Sequence, residues 1–330
     1  MAVTFKITNC DVLDKDSWND AITGLDVSVY FSWEYLSIIR SNYPNGIYLL
    51  KIFNDSSGIV TFYTYRTKDQ KYYDIYSPYG SDGIYIWGHS DEVLINFVEY
   101  LKKNNIVTYY MMNHPMYKNN NRECIIQCRN IYTMDLTKET EVLWKDMHAN
   151  HRYEINKLTK QNIYLEYDKS KLKSAFLTLY RETFSRVQAN ISYNFTDEFL
   201  SDILRSDLTL ALGAVIDENI ECVVLFLVKD KSAEYFINAS SLSGRTASRY
   251  LIWEMIRQLK DIGVTYLNLG GGVVDNDSLD QFKKRFGGQK TTLNMFSGVA
   301  LETEFERLCF EHSNLDETIK FFPPYWANNS

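Results

Sequence analysis

Residues 266–288 read YLNLGGGVVDNDSLDQFKKRFGG. A β-type run over 264–269 empties into Gly270, Gly271 and Gly272. An acidic loop with Asp275, Asp277 and Asp280 follows, then Phe282, Lys283, Lys284, Arg285 and Phe286. Three successive glycines cost extra backbone entropy on folding. They belong where a strand end leaves its sheet, or where a ligand or second backbone comes close. Two phenylalanines flanking three cations anchor a segment that presents positive charge beside that opening. Charge held there suits an anion or a developing oxyanion. Lys283 is the candidate for that charge; the competing reading is a solvated lysine on a short helix. The triplet is no dinucleotide fingerprint, because no helix with G-x-G-x-x-G spacing follows.

Other reactive side chains form weaker patterns. His148 and His151 lie one helical turn apart with no further ligand cluster, so no metal site is expected. Cys124 and Cys128 lack a second cysteine pair, Cys222 sits in an apolar run, and no cysteine neighbours a histidine, so no nucleophile is evident. Arg152, Lys157 and Lys160 share one basic segment that could face phosphates, although a solvated helix face is the more common explanation of such a run.

The elements that must position these groups are legible from pattern. At 330 residues the chain suggests two domains of roughly 150 residues. Apolar residues make up 45% of it, enough for real cores, and the net charge of −7 implies no global attraction to nucleic acid or anionic membrane. No run approaches the ~20 apolar residues of a membrane helix, and five scattered cysteines fit a reduced, cytoplasmic protein. Strands are expected over residues 3–8, 47–53, 59–65, 72–76 and 106–112, with helical spacing over 27–43 and a helix after Ser90. Helical patterns then cover 138–160, 171–187 and 197–204. Strands follow over 209–216, 221–228 and 233–239, then a Ser/Gly loop, a helix aligned on Leu251, Met255, Leu259 and Ile262, and the strand before Gly270. Both halves therefore run helices, three-strand meander, loop, helix, strand. The order reads as a structural duplication; two unrelated α/β domains are the alternative.

That arrangement is similar to tandem acetyltransferase-like (GNAT) folds, and local strings narrow it. YYDIYSPYGSDGIY (72–85) resembles the Y-Y-D-I-x-[ST]-P-Y-G-Y-G-G stretch of FemABX-like acyltransferases. DLTKETEVLWKDM and the following HRYEINKLTKQNI resemble that family's D-L-T…W-x-x-[ML] segment and N-R helix. YFSWEYL is similar to its early Y-F-x-P-E-Y-L, and LNLGGG…DSLDQFKKRF resembles its H-L-G-G-G…D-S-L-x-x-F-K-x-x-F motif. The departures are Ser81-Asp82 in the glycine-rich turn, His151 before Arg152, and EYFINASS where relatives carry histidines.

The resemblance implies an α/β (α+β) fold of two GNAT-like domains, each a mixed, mostly antiparallel sheet flanked by helices. The expected boundaries are 1–136 and 137–300, with 301–330 a helix and tail packing back on the first domain. It implies an N-acyltransferase acting by direct attack in an interdomain cleft on an amine of a cell-envelope glycan or a nucleotide- or lipid-linked precursor. No metal is called for. The expected donor is acyl-CoA, given the acidic chain; aminoacyl-tRNA, as in peptidoglycan-bridge enzymes, is the alternative, and a non-catalytic binding protein is the third. Peripheral contact with a membrane-linked precursor follows from the same class. Residue by residue, Lys283 takes the place of the family's catalytic F-K lysine. Gly244 and Arg245 occupy the turn where the GNAT fold binds pyrophosphate at a helix start, with Gly270, Gly271 and Gly272 beside the donor. Tyr76, Tyr79, Gly80, Arg152, Phe282 and Arg285 are the substrate-side candidates. The general base is open among Asp275, Asp280, Tyr235 and a water relay.

Overall fold

The computed structural model describes residues 4–67, 71–88, 90–117, 125–161, 163–188, 193–272, 276–311 and 322–329. Its contacts divide the chain into one unit made of Met1–Cys128 with Leu293–Ser330 and another made of Arg129–Thr292.

The first unit opens with β1 (Lys6–Asp11), α1 (Lys15–Ile22) and α2 (Trp33–Ile39). A meander follows: β2 (Tyr48–Phe53), β3 (Gly58–Arg66) and β4 (Tyr73–Tyr76). The β2–β3 turn is closed by Asn54, whose Oδ1 accepts from the amides of Ser56 and Ser57, the Asx geometry its sequence favours. Then come β5 (Ile84–Trp87), α3 (Ser90–Lys103) and β6 (Ile106–Asn113). Val93, Phe97 and Leu101 form the buried stripe of α3 and pack on Ile52, Ile59, Ile75 and Met111.

β7 (Ile125–Asp135) carries the chain into the second unit, where α4 (Thr140–Asp146), α5 (Ala149–Leu158), β8 (Ile163–Glu166), α6 (Lys169–Val187) and α7 (Asp197–Arg205) follow. A second meander, β9 (Thr209–Ile216), β10 (Asn219–Lys229) and β11 (Ser232–Ser240), leads to α8 (Ala247–Asp261), β12 (Tyr266–Gly270) and α9 (Ser278–Lys284). Residues Cys222 to Leu227 of β10 are all buried, as an unbroken apolar run in a strand covered on both faces must be. Cys222, Val224 and Phe226 meet Leu251, Met255 and Ile256 of α8, while α6 packs over β10 and β11 on its own stripe of Leu172, Phe176 and Leu179. β13 (Gln289–Val299) and α10 (Glu302–Glu311) return the chain to the first unit.

The two units share one strand order. In the first, β1-β2-β3-β4-β6-β13 pair antiparallel except for the parallel pair β4–β6, and β5 pairs with β3. In the second, β8-β9-β10-β11-β12-β7 pair antiparallel except for the parallel pair β11–β12. The sixth strand of the second unit precedes it in sequence, and that of the first unit follows it. β5, β7, β8 and β13 are elements that the sequence reading did not place. The helical pattern over 138–160 is two helices, because Met147 is extended (φ −65°, ψ 140°) and His148 caps α5 with Nδ1 accepting from the Asn150 amide. Ile262 ends α8 exposed rather than on its buried face. Among the described residues no helix is long and apolar enough to cross a membrane.

Candidate functional site

In the second unit the parallel pairing of β11 with β12 runs from Ser232↔Tyr266 to Glu234↔Asn268 and stops there. Tyr235 and Gly270 lie just past the last pair, so the sheet opens at this point. The opening is fixed by a buried polar pair: Asn268 Nδ2 donates to Glu234 (2.8 Å), and its Oδ1 accepts from the Gly270 amide (2.8 Å). The three glycines answer two needs. Gly270 is left-handed (φ +68°), and a Cβ on Gly271 would lie 2.0 Å from the Asn130 carbonyl oxygen of β7.

α9 returns across this opening. Asp277 caps it, its Oδ1 accepting from the Asp280 amide (2.6 Å). The cap sets Lys283 so that its Nζ lies over the Tyr235 ring (5.5 Å to the centroid), at the place where a Gly270 side chain would be. Burial, reinforced by the Arg129 guanidinium, pushes the Lys283 ammonium down to about 7, against the pull of Asp277 and Asp280. Asp280 is 3% exposed; its Oδ2 accepts from Tyr132 (3.2 Å) and the Asn276 amide (3.2 Å), while its Oδ1 has no partner among the described residues. Burial raises the Tyr235 phenol far above its ordinary value, so Tyr235 can donate a proton in a hydrogen bond but not act as the base. Asp275 lies outside the described residues.

Phe282 and Arg285 flank this lysine. The Phe282 ring packs on His151 (5.3 Å) and Phe286 (5.3 Å), and the Arg249 guanidinium covers it at 5.5 Å. Arg285 is half-buried, its carbonyl accepting from the His148 amide (2.8 Å). Arg152 turns to α4, where Nη1 donates to the carbonyls of Lys145 (2.8 Å) and Trp144 (3.4 Å), so that nitrogen caps a helix end.

The Gly244 turn differs from an open anion cradle. The Gly244 amide donates to Ser241 Oγ (2.8 Å), and the Glu221 carboxylate accepts from both Ser241 and Ser243 (2.8 Å for the latter). A carboxylate of the chain itself already holds the hydroxyl donors at this helix start, and Arg245 projects from the turn exposed.

Tyr76, Tyr79 and Gly80 lie in the first unit. Tyr76 stacks on Tyr110 (5.4 Å, 9°) with Arg66 over both rings. The backbone of Tyr79 is held from both sides: its amide donates to Tyr43 Oη (2.6 Å) and its carbonyl accepts from Tyr35 Oη (2.5 Å). Gly80 (φ +145°) packs against the Tyr30 ring. Beside this turn Asp82 is fully buried and accepts from Ser28 Oγ (2.5 Å), Tyr117 Oη (2.6 Å) and the Gly83 amide (2.7 Å). Burial lifts its carboxyl to about 6 despite these donors. The Ser81-Asp82 departure is thus a structural latch for the loop.

Sequence reading had not singled out Arg249, Glu221 or the Glu234–Asn268 pair. Only the last left a signal, a carboxylate and an amide inside otherwise apolar strands. Cys222 is buried in β10 with its thiol pushed up to about 12 by burial, while Cys124 and the Cys128 side chain lie outside the described residues.

No protein-family model and no curated protein matches the chain. Solved structures do. FemX superposes with a TM-score of 0.65 at 11% identity, covering 92% of this chain and 99% of that one. The C-terminal domain of a putative lysylphosphatidylglycerol synthetase from Agrobacterium fabrum gives 0.59 at 12%, covering 91% and 97%. A tandem GNAT protein from the clavulanic acid biosynthesis pathway gives 0.50 at 8%, covering 90% and 99%. With the duplicated strand order and the lysine-bearing α9 behind the opened parallel pair, these likenesses establish that the chain has the FemABX-like tandem GNAT fold.

Proposed function

We propose that the protein is an N-acyltransferase that transfers an acyl group to an amine of a cell-envelope glycan precursor, with Lys283 as the catalytic cation. The carrying observation is the Lys283 ammonium held in a desolvated position where β11 and β12 part. Such a cation can donate to the oxyanion that forms as the amine attacks the carbonyl, and poor hydration strengthens that donation. The attacking amine must lose a proton. The unpartnered Oδ1 of Asp280, one helical turn before Lys283, can take it once the amine is seated beside it, and the donor's sulfur or oxygen then leaves with the bonding pair.

Acyl-CoA remains the first donor to test, but Glu221 favours a second reading. A pyrophosphate at the Gly244 turn would meet that carboxylate and find the Gly244 amide occupied. An aminoacyl ester on tRNA needs no pyrophosphate there. The fold neighbours FemX and the lysylphosphatidylglycerol synthetase domain support keeping this reading.

The test is transfer from radiolabelled acetyl-CoA and from aminoacyl-tRNA to amino-sugar and muropeptide acceptors, with Lys283→Ala alongside. The expected result is turnover with one donor, reduced about 10²–10³-fold in the variant, the range for removing one oxyanion donor. Acceptor binding without turnover, unchanged in Lys283→Ala, would mean a binding protein instead.

A further inference from the structure

We infer that Tyr132 is a positioning residue of the Lys283 site: by holding the Asp280 carboxylate, it keeps the ammonium without a counter-ion. The rest of the chain shows why this needs a cause. A carboxylate three residues before a cation on a helix is its neighbour on the surface and commonly pairs with it. Glu99–Lys102 (3.1 Å), Asp202–Arg205, Glu254–Arg257 (3.0 Å) and Glu304–Arg307 (2.7 Å) have this order and spacing, and each forms an ion pair. Asp280 and Lys283 on α9 have the same order and spacing. Among the described residues, however, Lys283 forms no ion pair.

The geometry places the cause on Tyr132. It stands in β7 directly across from Gly270, the glycine over which the Lys283 Nζ lies. Tyr132 is 3% exposed and belongs to the core of the second unit, so the reach of its phenol is fixed. Its Oη donates to Asp280 Oδ2 (3.2 Å), and the Asn276 amide donates to the same oxygen (3.2 Å). Asp280 cannot turn to Lys283 without leaving both donors. Nor can it slide, because even a Cβ at Gly272 would lie 2.8 Å from the Asp280 Cβ. The other carboxylate of the helix is tied as well, Asp277 Oδ1 accepting from the Asp280 amide (2.6 Å). Lys283 therefore faces the Tyr235 ring, the Arg129 guanidinium, and two carboxylates bonded elsewhere. A carboxylate brought onto the ammonium would cancel the charge that a developing oxyanion needs. Tyr132 prevents this by occupying the lysine's natural partner.

The inference rests on the reading of Lys283 as the catalytic cation only for that last consequence, and its test needs no turnover. Full-length protein carrying lysine labelled with carbon-13 at Cε is titrated by NMR, the Lys283 signal being assigned by its absence in Lys283→Arg. Tyr132→Phe, Asp280→Asn and the double variant are titrated alongside, the fold of each checked by thermal denaturation. Tyr132→Phe keeps the ring and frees Asp280 to rotate. The Lys283 midpoint should then rise from about 7 in the parent by about 1–3 pH units, the range for gaining an opposite charge. Asp280→Asn alone should leave the midpoint at or below that of the parent, since a carboxylate that favours the ammonium is gone. In the double variant the rise should vanish, because no carboxylate remains to pair. Mere loosening of the site would also raise the midpoint, by admitting water, but that rise would persist in the double variant. The inference is overturned if the parent lysine titrates in the free-lysine range, if Tyr132→Phe titrates like the parent, if Asp280→Asn raises the midpoint, or if the double variant keeps the full rise. A transferase inactive in every assay would leave the titration result standing, and an unchanged midpoint in Tyr132→Phe would leave Lys283 able to act on an oxyanion.

Discussion

What sets Lys283 apart is its surroundings rather than its type. A lysine beside two aspartates would ordinarily be a solvated ion pair, yet here burial outweighs Asp277 and Asp280 and brings the ammonium to about 7. That has a consequence measurable without any substrate. Below about pH 7 the lysine is protonated in both folded and unfolded chains, and the folded state bears the full cost of burying the cation. Between about 7 and the free-lysine range the unfolded chain binds the proton that the folded chain has released, so stability rises with pH. Urea denaturation of the protein and of Lys283→Met from pH 6.5 to 9.5 should show a stability difference that shifts in favour of the native lysine as pH rises. A difference constant with pH would mean that the ammonium stays hydrated. His151 makes the same point from the other side: in sequence it is one of two histidines without a metal cluster, and in the fold it is buried, with Nε2 3.0 Å from the Phe282 carbonyl oxygen.

At the scale of elements, the opening depends on β12 ending where β7 passes close. A Cβ at Gly271 would overlap the Asn130 carbonyl, and backbone on both sides leaves no flexible side chain to yield. Gly271→Ala is therefore expected to destabilise the protein by about 1–3 kcal/mol, the usual cost of overpacking. It should also lower acyl transfer, because moving β12 moves Gly270 under the Lys283 Nζ. A thermal midpoint and specific activity equal to the parent would show that the two strands are not in close register. The glycine triplet, the meanders, α6 and α8 were legible because each has a local cause: backbone freedom, alternation, or an apolar stripe. β7 and β13 were not, since such strands owe their place to partners far away in sequence, β12 and β6. The site was legible to the same extent. Motif spacing picked out Lys283, Phe282 and Arg285, but Glu221, which faces the Gly244 turn from another strand, carries no local signal at all.

On the scale of the whole molecule, the chain completes its first unit only after making its second. Residues after Leu293 belong with the first 128, and the last described segment carries the strongest evidence of why. Tyr325 Oη and Trp326 Nε1 donate to the two oxygens of buried Asp74 on β4, each at 2.7 Å, and Thr108 Oγ1 of β6 donates to the first of them (2.5 Å). Val107, Leu308 and Tyr325 form a small core of their own, with Phe305 packed against it. Removing residues 312–330 would leave a buried carboxylate short of two donors and strip that core of its largest member, and an unsatisfied buried charge costs more than its hydrogen bonds gained. Hydrogen exchange on such a truncated chain should show β4 and β6 opening faster, with β9, β10 and β11 of the second unit protected as before. Tyr325→Phe, which keeps the ring and removes one donor, should give the same pattern with a smaller effect, about 1–3 kcal/mol. Uniform loss of protection across both units would instead mean that they unfold as one cooperative body, and unchanged protection at β4 would mean that Asp74 does not depend on the tail. Because the final residues close a unit whose first strand was made some 300 residues earlier, the long-range step of bringing them to Asp74 is expected to come late in folding, after the second unit has its core.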